Sequence, residues 1–124
     1  MRVDRIVKIA VAALEDIKAR DLNVLNVVKL TPMFDRVIIA TGDSTRQVKS
    51  LADNVQVKLK EAGAKVYGVE GSGAAEWVLI DLGSVIVHVM LPAIRAHYNL
   101  EELWTARPAK KRAASKRAAT SRSK

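Results

Sequence analysis

Apolar residues recur at the three- and four-residue spacing of an amphipathic helix in two stretches of the chain. The first stretch covers residues 2–20 and is long enough for about five helical turns. The second begins after Ser44, whose hydroxyl can cap the helix while Gln47 reaches back in a capping box. Gly63 stands where this second helix is expected to end. The pattern therefore predicts two long helices, each with one apolar face turned towards a core.

Short aliphatic runs separate and follow these helices, and they indicate strands. Three of the runs are residues 22–30, 36–41 and 65–70. Two more lie within EWVLIDLGSVIVHVM (76–90), where they are joined by a Gly-Ser turn. The chain is thus expected to form five strands.

The order of the elements predicts the class of fold. A helix is followed by two strands, a second helix, three strands, and short helical turns that begin at Pro92 and Asn99. This order is typical of a single α/β domain over residues 1–104, with a mixed five-stranded sheet packed with helices. Only the runs 36–41 and 65–70 are joined by a full helical crossover, so we expect these two strands to be the parallel pair.

The turn at Gly83-Ser84 determines which residues of the last two strands share a face, because directly opposed residues point the same way. One face is wholly aliphatic and should form a wall of the core: Val78, Ile80, Leu82, Val85, Val87 and Val89. The other face mixes large apolar groups with two polar ones, as a partly exposed docking surface does: Trp77, Leu79, Asp81, Ile86, His88 and Met90. A slip of one residue would break this sorting, which supports the register.

The net charge of +8 suggests a nucleic-acid ligand, but the excess lies at one end of the chain. Residues 105–124 hold eight of the 21 basic residues and none of the 13 acids, so residues 1–104 are formally neutral. This basic tail has little apolar surface to bury, and we expect it to be disordered. We interpret it as an arm for RNA phosphates, with a solubilising extension as the alternative. The cations assigned to RNA contact are Lys110, Lys111, Arg112, Lys116, Arg117, Arg122 and Lys124.

Several other classes of protein are excluded by composition. The chain contains no cysteine, so it has neither a disulfide framework nor a thiolate zinc site. No apolar run approaches the roughly 18 to 20 residues of a membrane span. The N-terminus enters the first amphipathic pattern without the apolar region of a secretion signal. We therefore expect a cytoplasmic protein with no membrane association.

The polar groups of the hairpin do not form a catalytic constellation. Asp81 and His88 would be diagonal neighbours roughly 7 to 8 Å apart, close enough for a hydrogen bond to be conceivable. No Ser or Cys shares their face to act as a nucleophile. The segment TGDST (41–45) lacks the Lys and spacing of a P-loop, and helix capping explains it. The run GSGAAE (71–76) precedes a strand and fails the dinucleotide-binding pattern, so we interpret it as a mobile loop. We expect no enzyme activity, cofactor or metal site.

Four blocks of the sequence resemble one family in their order and spacing. They are DRVIIATGDSTRQVKSLAD (35–53), EG (70–71), EWVLIDLGSVIVHVM (76–90) and R..YNLEELW (95–104). Over about residues 2–104 the chain is similar to the Iojap-like ribosomal silencing factors. The resemblance implies a nucleotidyltransferase-like topology, and the single Asp81 in place of a metal-binding carboxylate pair agrees with an absence of catalysis.

The resemblance also implies a function and a partner. Such proteins are translational repressors that bind large-subunit ribosomal protein fourteen and sterically block joining of the small subunit when nutrients are scarce. We expect the Trp77 face to be the interface, with Glu70, Glu76 and Asp81 meeting basic side chains. The residues that either extend this interface or pack the chain end onto the body are Tyr98, Leu100, Glu101, Leu103 and Trp104. The same apolar face would also suit a homodimer, and the tail would add contact with ribosomal RNA.

Two other functions account for part of the sequence. One is a divergent nucleotidyltransferase that uses Gly42, Ser44 and Asp81, and it predicts metal-dependent nucleotide binding. The other is an RNA-binding adaptor driven by the tail, and it predicts that deletion of residues 105–124 abolishes all association.

Overall fold

The computed structural model describes residues 1–105 of the chain. The basic tail predicted from the sequence therefore lies, from residue 106 onward, outside the described residues. The elements, in chain order, are α1 (Val3–Asp16), β1 (Arg20–Asn26), β2 (Arg36–Thr41), α2 (Thr45–Glu61), β3 (Gly68–Glu70), β4 (Trp77–Asp81), β5 (Val85–Met90), α3 (Pro92–Tyr98) and α4 (Leu100–Thr105).

The five strands form one mixed sheet in the order β1-β2-β5-β4-β3, which confirms the predicted α/β class. The parallel pair is β2 with β5, and the other neighbours are antiparallel. The prediction that residues 36–41 and 65–70 form the parallel pair is wrong. The crossover through α2 carries the chain past two strand positions, and the β4–β5 hairpin occupies the positions between β2 and β3.

The register of the β4–β5 hairpin is the one predicted from its turn. Trp77 lies opposite Met90, and Asp81 lies opposite Ile86. The aliphatic face of the hairpin is buried against α1 and α2, as expected from its composition. The core on that side includes Ile6, Ala10 and Leu14 from α1, and Val48, Leu51, Val55 and Leu59 from α2.

A second, smaller core occupies part of the opposite face of the sheet. Its fully buried members are Val27, Val37, Ile39 and Met90. Partly buried apolar residues from the β1–β2 connection and from α3 and α4 pack against them, including Phe34, Ile94, Leu100 and Trp104. The two short C-terminal helices therefore cover one half of this face.

The ends of several elements differ from the predicted ones by a few residues. α1 ends at Asp16 rather than near residue 20, because the chain turns through Lys18, whose φ is 63°. α2 begins as predicted, with the Ser44 hydroxyl accepting a hydrogen bond from the Gln47 amide at 3.1 Å. Among the helices of residues 1–105, none combines the length and apolar character required to cross a membrane.

Candidate protein-docking surface

The face of the β4–β5 hairpin that points away from α1 and α2 is only partly covered. Leu79, Asp81 and Ile86 are half-buried and belong to neither buried core. The neighbouring strand β3 places Gly68 beside Asp81 and Glu70 beside Leu79. Gly68 has no side chain to shield Asp81, and Glu70 is exposed. We call Leu79, Asp81, Ile86 and Glu70 the open sheet face, a surface with apolar side chains and two carboxylates.

One end of the open sheet face is bordered by Trp77, whose orientation is set by His88. The indole Nε1 of Trp77 donates a hydrogen bond to Nδ1 of His88 at 3.0 Å, and the ring centroids are 5.9 Å apart. Trp77 remains half-buried, whereas only 9% of His88 is exposed. The buried imidazole therefore holds a large aromatic side chain at the edge of the surface, where anchors of protein interfaces are commonly found.

Burial lowers the pKa of His88 to about 4, so the imidazole is neutral at pH 7. Neutrality is what allows its Nδ1 to act as the acceptor for the Trp77 indole. The hydrogen bond with Asp81 that the sequence allowed is not formed. Asp81 instead accepts a hydrogen bond through Oδ1 from the Gly83 amide at 2.8 Å, which stabilises the hairpin turn. Within residues 1–105, the side-chain hydrogen-bond partner of His88 is therefore Trp77 and not an acid.

Tyr98, at the end of α3, packs its ring against the ring of Trp77. The centroids of the Trp77 and Tyr98 rings are 4.9 Å apart, and Tyr98 is 54% exposed. His97 contacts Tyr98 edge-on with a centroid distance of 4.8 Å. The open sheet face is therefore continuous with an aromatic group in which Trp77 is half-buried and Tyr98 and His97 are exposed.

Two residues that the sequence predicts on the partly exposed hairpin face are instead buried. Met90 has no exposed area, and His88 is buried. The reason is that α3 and α4 fold back over this half of the sheet and complete the second core above Met90. In this conformation neither side chain offers substantial area to a partner, and His88 acts through Trp77.

The C-terminal helices are fastened to the sheet by Arg95. Its Nε and Nη2 bind the two carboxylate oxygens of Glu101 at 3.0 and 2.9 Å, in a bidentate pair. Its Nη1 donates to the hydroxyl of Thr41 at 2.9 Å and to the backbone carbonyl of Asp21. Asn23 donates a further hydrogen bond to Glu101 at 2.7 Å. The bond from Arg95 lowers the pKa of Glu101, which keeps this carboxylate charged.

The five residues that the sequence offers as an extension of the interface have different environments: some pack onto the second core and others are exposed. Leu100 and Trp104 pack onto the second core, and Trp104 contacts Phe34 edge-on with ring centroids 5.6 Å apart. Tyr98 and Leu103 are exposed. Glu101 is engaged by Arg95 and Asn23. Tyr98 is the residue of this group that adjoins the open sheet face, through its contact with Trp77.

The loop before β4 is a tight turn. The Ala75 amide donates to the Gly71 carbonyl at 2.9 Å, and Ala75 is buried. A Cβ atom at Gly71 would lie 2.1 Å from the Trp77 carbonyl oxygen, and the φ of Gly71 is 88°. Glycine is therefore required where this turn passes the start of β4. Glu76, which precedes Trp77 in the chain, is exposed.

The TGDST segment is occupied by capping. Besides the Ser44 cap, the Gln47 side chain accepts a hydrogen bond from the Asp43 amide at 2.7 Å, rather than from the Ser44 amide that a capping box would use. Asp43 forms an ion pair with Arg20. A Cβ at Gly42 would lie 2.9 Å from Val48, so this glycine serves close packing. Within residues 1–105, no group of three or more acids or histidines is placed to hold a metal ion.

Sequence reasoning missed the partners of His88 and Arg95. The Trp77–His88 bond follows from the diagonal of the correctly predicted hairpin, so the register contained a signal for it. Two of the partners of Arg95, Thr41 and the Asp21 carbonyl, lie 54 and 74 residues away in the chain, and no local pattern indicates them.

Comparison with known proteins gives consistent matches. A family model described as "Ribosomal silencing factor during starvation" (RsfS) matches residues 1–124. A Chromobacterium violaceum protein named ribosomal silencing factor RsfS is 58% identical over 104 residues, which is 84% of this chain and 85% of that protein. A mouse protein, named mitochondrial assembly of ribosomal large subunit protein 1, is 34% identical over 100 residues, covering 78% of this chain and 44% of the longer relative. A crystal structure of a Chromobacterium violaceum protein superposes with a TM-score of 0.84 at 53% identity, covering 92% of this chain and 95% of that one.

Proposed function

This chain belongs to the family of ribosomal silencing factors, and on that premise we propose that it represses translation by occupying the large ribosomal subunit. In this proposal it binds large-subunit ribosomal protein fourteen and sterically blocks joining of the small subunit, chiefly under nutrient limitation. It acts in the cytoplasm and without catalysis, as a regulator that works by occupancy. The name of the mouse relative, which refers to the large subunit, is in keeping with this target.

The observation that carries the proposal is the open sheet face beside the Trp77 aromatic group. Leu79 and Ile86 supply apolar area, and Trp77 with Tyr98 supplies large rings that are already held in place. Interfaces draw most of their binding energy from a few such aromatic residues, and holding them in place before binding reduces the entropy that must be lost.

Electrostatics favour a basic protein as the partner of this surface. Asp81 and Glu70 lie on the open sheet face, and Glu76, the residue before Trp77 in the chain, is exposed. Carboxylates around an apolar centre guide the encounter with a positively charged partner and fix its orientation. A homodimer formed through the same apolar residues would compete with ribosome binding for this face. It would also bring these carboxylates close to one another, and their repulsion favours the basic partner over self-association.

The proposal is tested by two substitutions, one at Leu79, which belongs to neither core, and one at Trp77, which borders the open sheet face and also packs against the second core. Leu79→Arg places a positive charge at the centre of the face, and Trp77→Ala removes the aromatic anchor. We expect each variant to lose about 2 to 4 kcal/mol of binding free energy for purified large subunits, which raises the Kd at least roughly thirtyfold. Co-sedimentation measures this change. Both should also fail to slow the association of large with small subunits measured by light scattering.

The matched control is Met33→Arg, which makes a similar change at a residue that is 77% exposed on the β1–β2 connection. This variant should bind as the unaltered protein does. Normal binding by folded Leu79→Arg and Trp77→Ala proteins would show that recognition uses another surface. Absence of large-subunit binding by the unaltered chain would refute the proposed function itself.

A further inference from the structure

The charges of the folded domain are divided unequally between its two sides, although residues 1–104 are formally neutral. We define the helical side as residues 2–18 and 44–65, which comprise α1 and α2 with their flanks. These residues include nine basic and five acidic side chains, whereas the rest of residues 1–104 includes four basic and eight acidic ones. The helical side thus has a formal charge of +4, and the remainder, which contains the open sheet face, has −4.

The cations of the helical side are exposed and make no ion pairs. Within residues 1–105, the ion pairs join Arg20 to Asp21 and Asp43, and Arg95 to Glu101. None of these pairs uses a cation of the helical side. The exposed cations are Arg2, Arg5, Lys8, Lys18, Arg46, Lys49, Lys58, Lys60 and Lys65.

Contacts between the helices bring cations of α1 and α2 together at both ends of the pair. The Gln47 side chain donates to the carbonyls of Ile17 and Lys18 at 3.0 and 3.3 Å, which places Lys18 beside the first turn of α2. Arg46 lies in that turn. At the other end, Arg5 and Lys58 line one groove between the helices, together with Asp16 and Glu61. The positive charge is therefore spread along the surface and not confined to one point.

Helix stability does not explain the basic residues at the start of α2. The amide end of a helix favours acidic side chains, and a cation there costs about 0.3 to 1 kcal/mol. The first turn of α2 nevertheless has no acidic residue and contains Arg46, with Lys49 one turn further on. An external anion would turn this unfavourable arrangement into a favourable one.

We infer that the helical side binds the phosphate backbone of double-helical RNA, as a contact separate from the basic tail. Extended, unpaired Lys and Arg side chains suit a regularly spaced polyanion. The helical side itself contains no Phe, Tyr or Trp, and the exposed ring of Tyr67, two residues beyond it, is contacted by Lys65 Nζ at 4.8 Å. It therefore offers no series of rings on which successive unpaired bases can stack. Binding of single-stranded RNA by base stacking is therefore disfavoured. We expect contact with the phosphate backbone of a duplex instead, without sequence preference. This inference goes beyond the proposed function: the acidic side would face a protein while the helical side faces RNA.

Three single charge reversals distinguish RNA binding by the helical side from binding by the tail and from a general effect of net charge. Lys49→Glu changes the helical side, and Lys29→Glu changes an exposed lysine in the β1–β2 connection. The two proteins have the same net charge and the same tail. Lys8→Glu repeats the helical-side change on α1. Each full-length protein is titrated with a 16-base-pair RNA duplex of arbitrary sequence at several salt concentrations.

We expect Lys49→Glu and Lys8→Glu each to weaken duplex binding roughly three- to fivefold relative to Lys29→Glu near 0.1 M salt. The slope of log affinity against log salt should fall by about 1 for each of the two. Equal affinities of all three variants would overturn the inference and leave RNA binding to the tail. Equally tight binding to vesicles rich in phosphatidylserine, with the same dependence on Lys49, would overturn RNA as the ligand. Because no ribosome is used, the result stands apart from the test of the proposed function.

Discussion

The indole of Trp77 is oriented by a histidine that lies almost wholly inside the protein. His88 accepts the indole hydrogen bond only while its Nδ1 carries no proton. Its pKa of about 4, lowered by burial, ensures this at neutral pH. One buried side chain thus connects the packing of the sheet with the shape of the proposed docking surface.

This connection predicts a dependence of stability on pH. The pKa of His88 is lower in the folded protein than the ordinary value of 6.5, so its contribution is present above pH 6.5 and is lost as the pH falls towards 4. Between pH 7 and pH 5 the free energy of unfolding should fall by about 2 kcal/mol on account of this residue. Urea denaturation at the two pH values measures the loss.

The control for this prediction is His88→Gln, whose amide oxygen can accept the indole hydrogen bond but does not titrate. The difference in unfolding free energy between pH 7 and pH 5 should be smaller in this variant by about 2 kcal/mol. His97→Gln, a change at an exposed histidine, should leave it as it is. An equal pH dependence in the unaltered and His88→Gln proteins would contradict the assignment. Glu101, whose pKa is also lowered, contributes equally to all of these proteins.

At the scale of elements, the C-terminal helices depend on contacts with other parts of the domain for their stability. α3 and α4 have seven and six residues, too short to be stable alone. They are held by apolar packing on the second core and by the bonds of Arg95 to Glu101, Thr41 and the Asp21 carbonyl. These helices set the boundary between the covered and the open halves of the sheet.

Removal of this fastening should loosen α3 and α4 before the rest of the domain. Arg95→Met keeps the apolar stem but removes the bonds of Arg95 to Thr41 and Glu101, while Asn23 still donates to Glu101. It should cost about 2 kcal/mol, and not more, since Glu101 can regain water in place of the arginine. Trp104 should then leave Phe34, and its fluorescence emission should shift to the red. The measurement is tryptophan emission in a Trp77→Phe background, together with urea denaturation.

Arg95→Lys should recover only part of this loss, because an ammonium group cannot reproduce the bidentate geometry. Arg46→Met provides the control, since it removes an exposed arginine that forms no ion pair within residues 1–105. If Arg95→Met and Arg46→Met had the same stability and emission, Arg95 would not be the fastening.

At the scale of the whole molecule, recognition and general affinity for RNA are assigned to different parts. The open sheet face is expected to choose the partner, while the helical side and the basic residues after 105 add attraction that depends on salt. The contribution of the tail can be separated from that of the folded domain by truncation, because the tail follows α4, the last helix (Leu100–Thr105).

Co-sedimentation of residues 1–124 and 1–105 with large and small subunits makes this separation. We expect both forms to pellet with large subunits only, and the shorter form to bind more weakly at low salt, with a smaller salt dependence. Binding of the full chain alone, and to either subunit, would show that the tail and not the folded domain is the recognition element.

Features that depend on neighbours in the chain could be predicted from the sequence. The turn at Gly83-Ser84 was enough to predict which residues of β4 and β5 oppose each other, because the side-chain period of a strand leaves one register that sorts the faces. The cap at Ser44 and the buried stripe of α2 also follow from local rules. Together they determine a domain with one wholly aliphatic hairpin face against two helices, and an opposite face that is mixed.

Only the tertiary structure decided how much of that mixed face is open. The hairpin lies between β2 and β3, and several strand orders are compatible with the same local sequence pattern. The prediction that β2 pairs with β3 is wrong for this reason. The burial of Met90 and His88 depends on α3 and α4 folding back, which rests on contacts of Arg95 with residues 54 and 74 positions away. Such contacts gain their energy from groups that meet only after the chain has folded, so no periodicity or motif along the sequence records them.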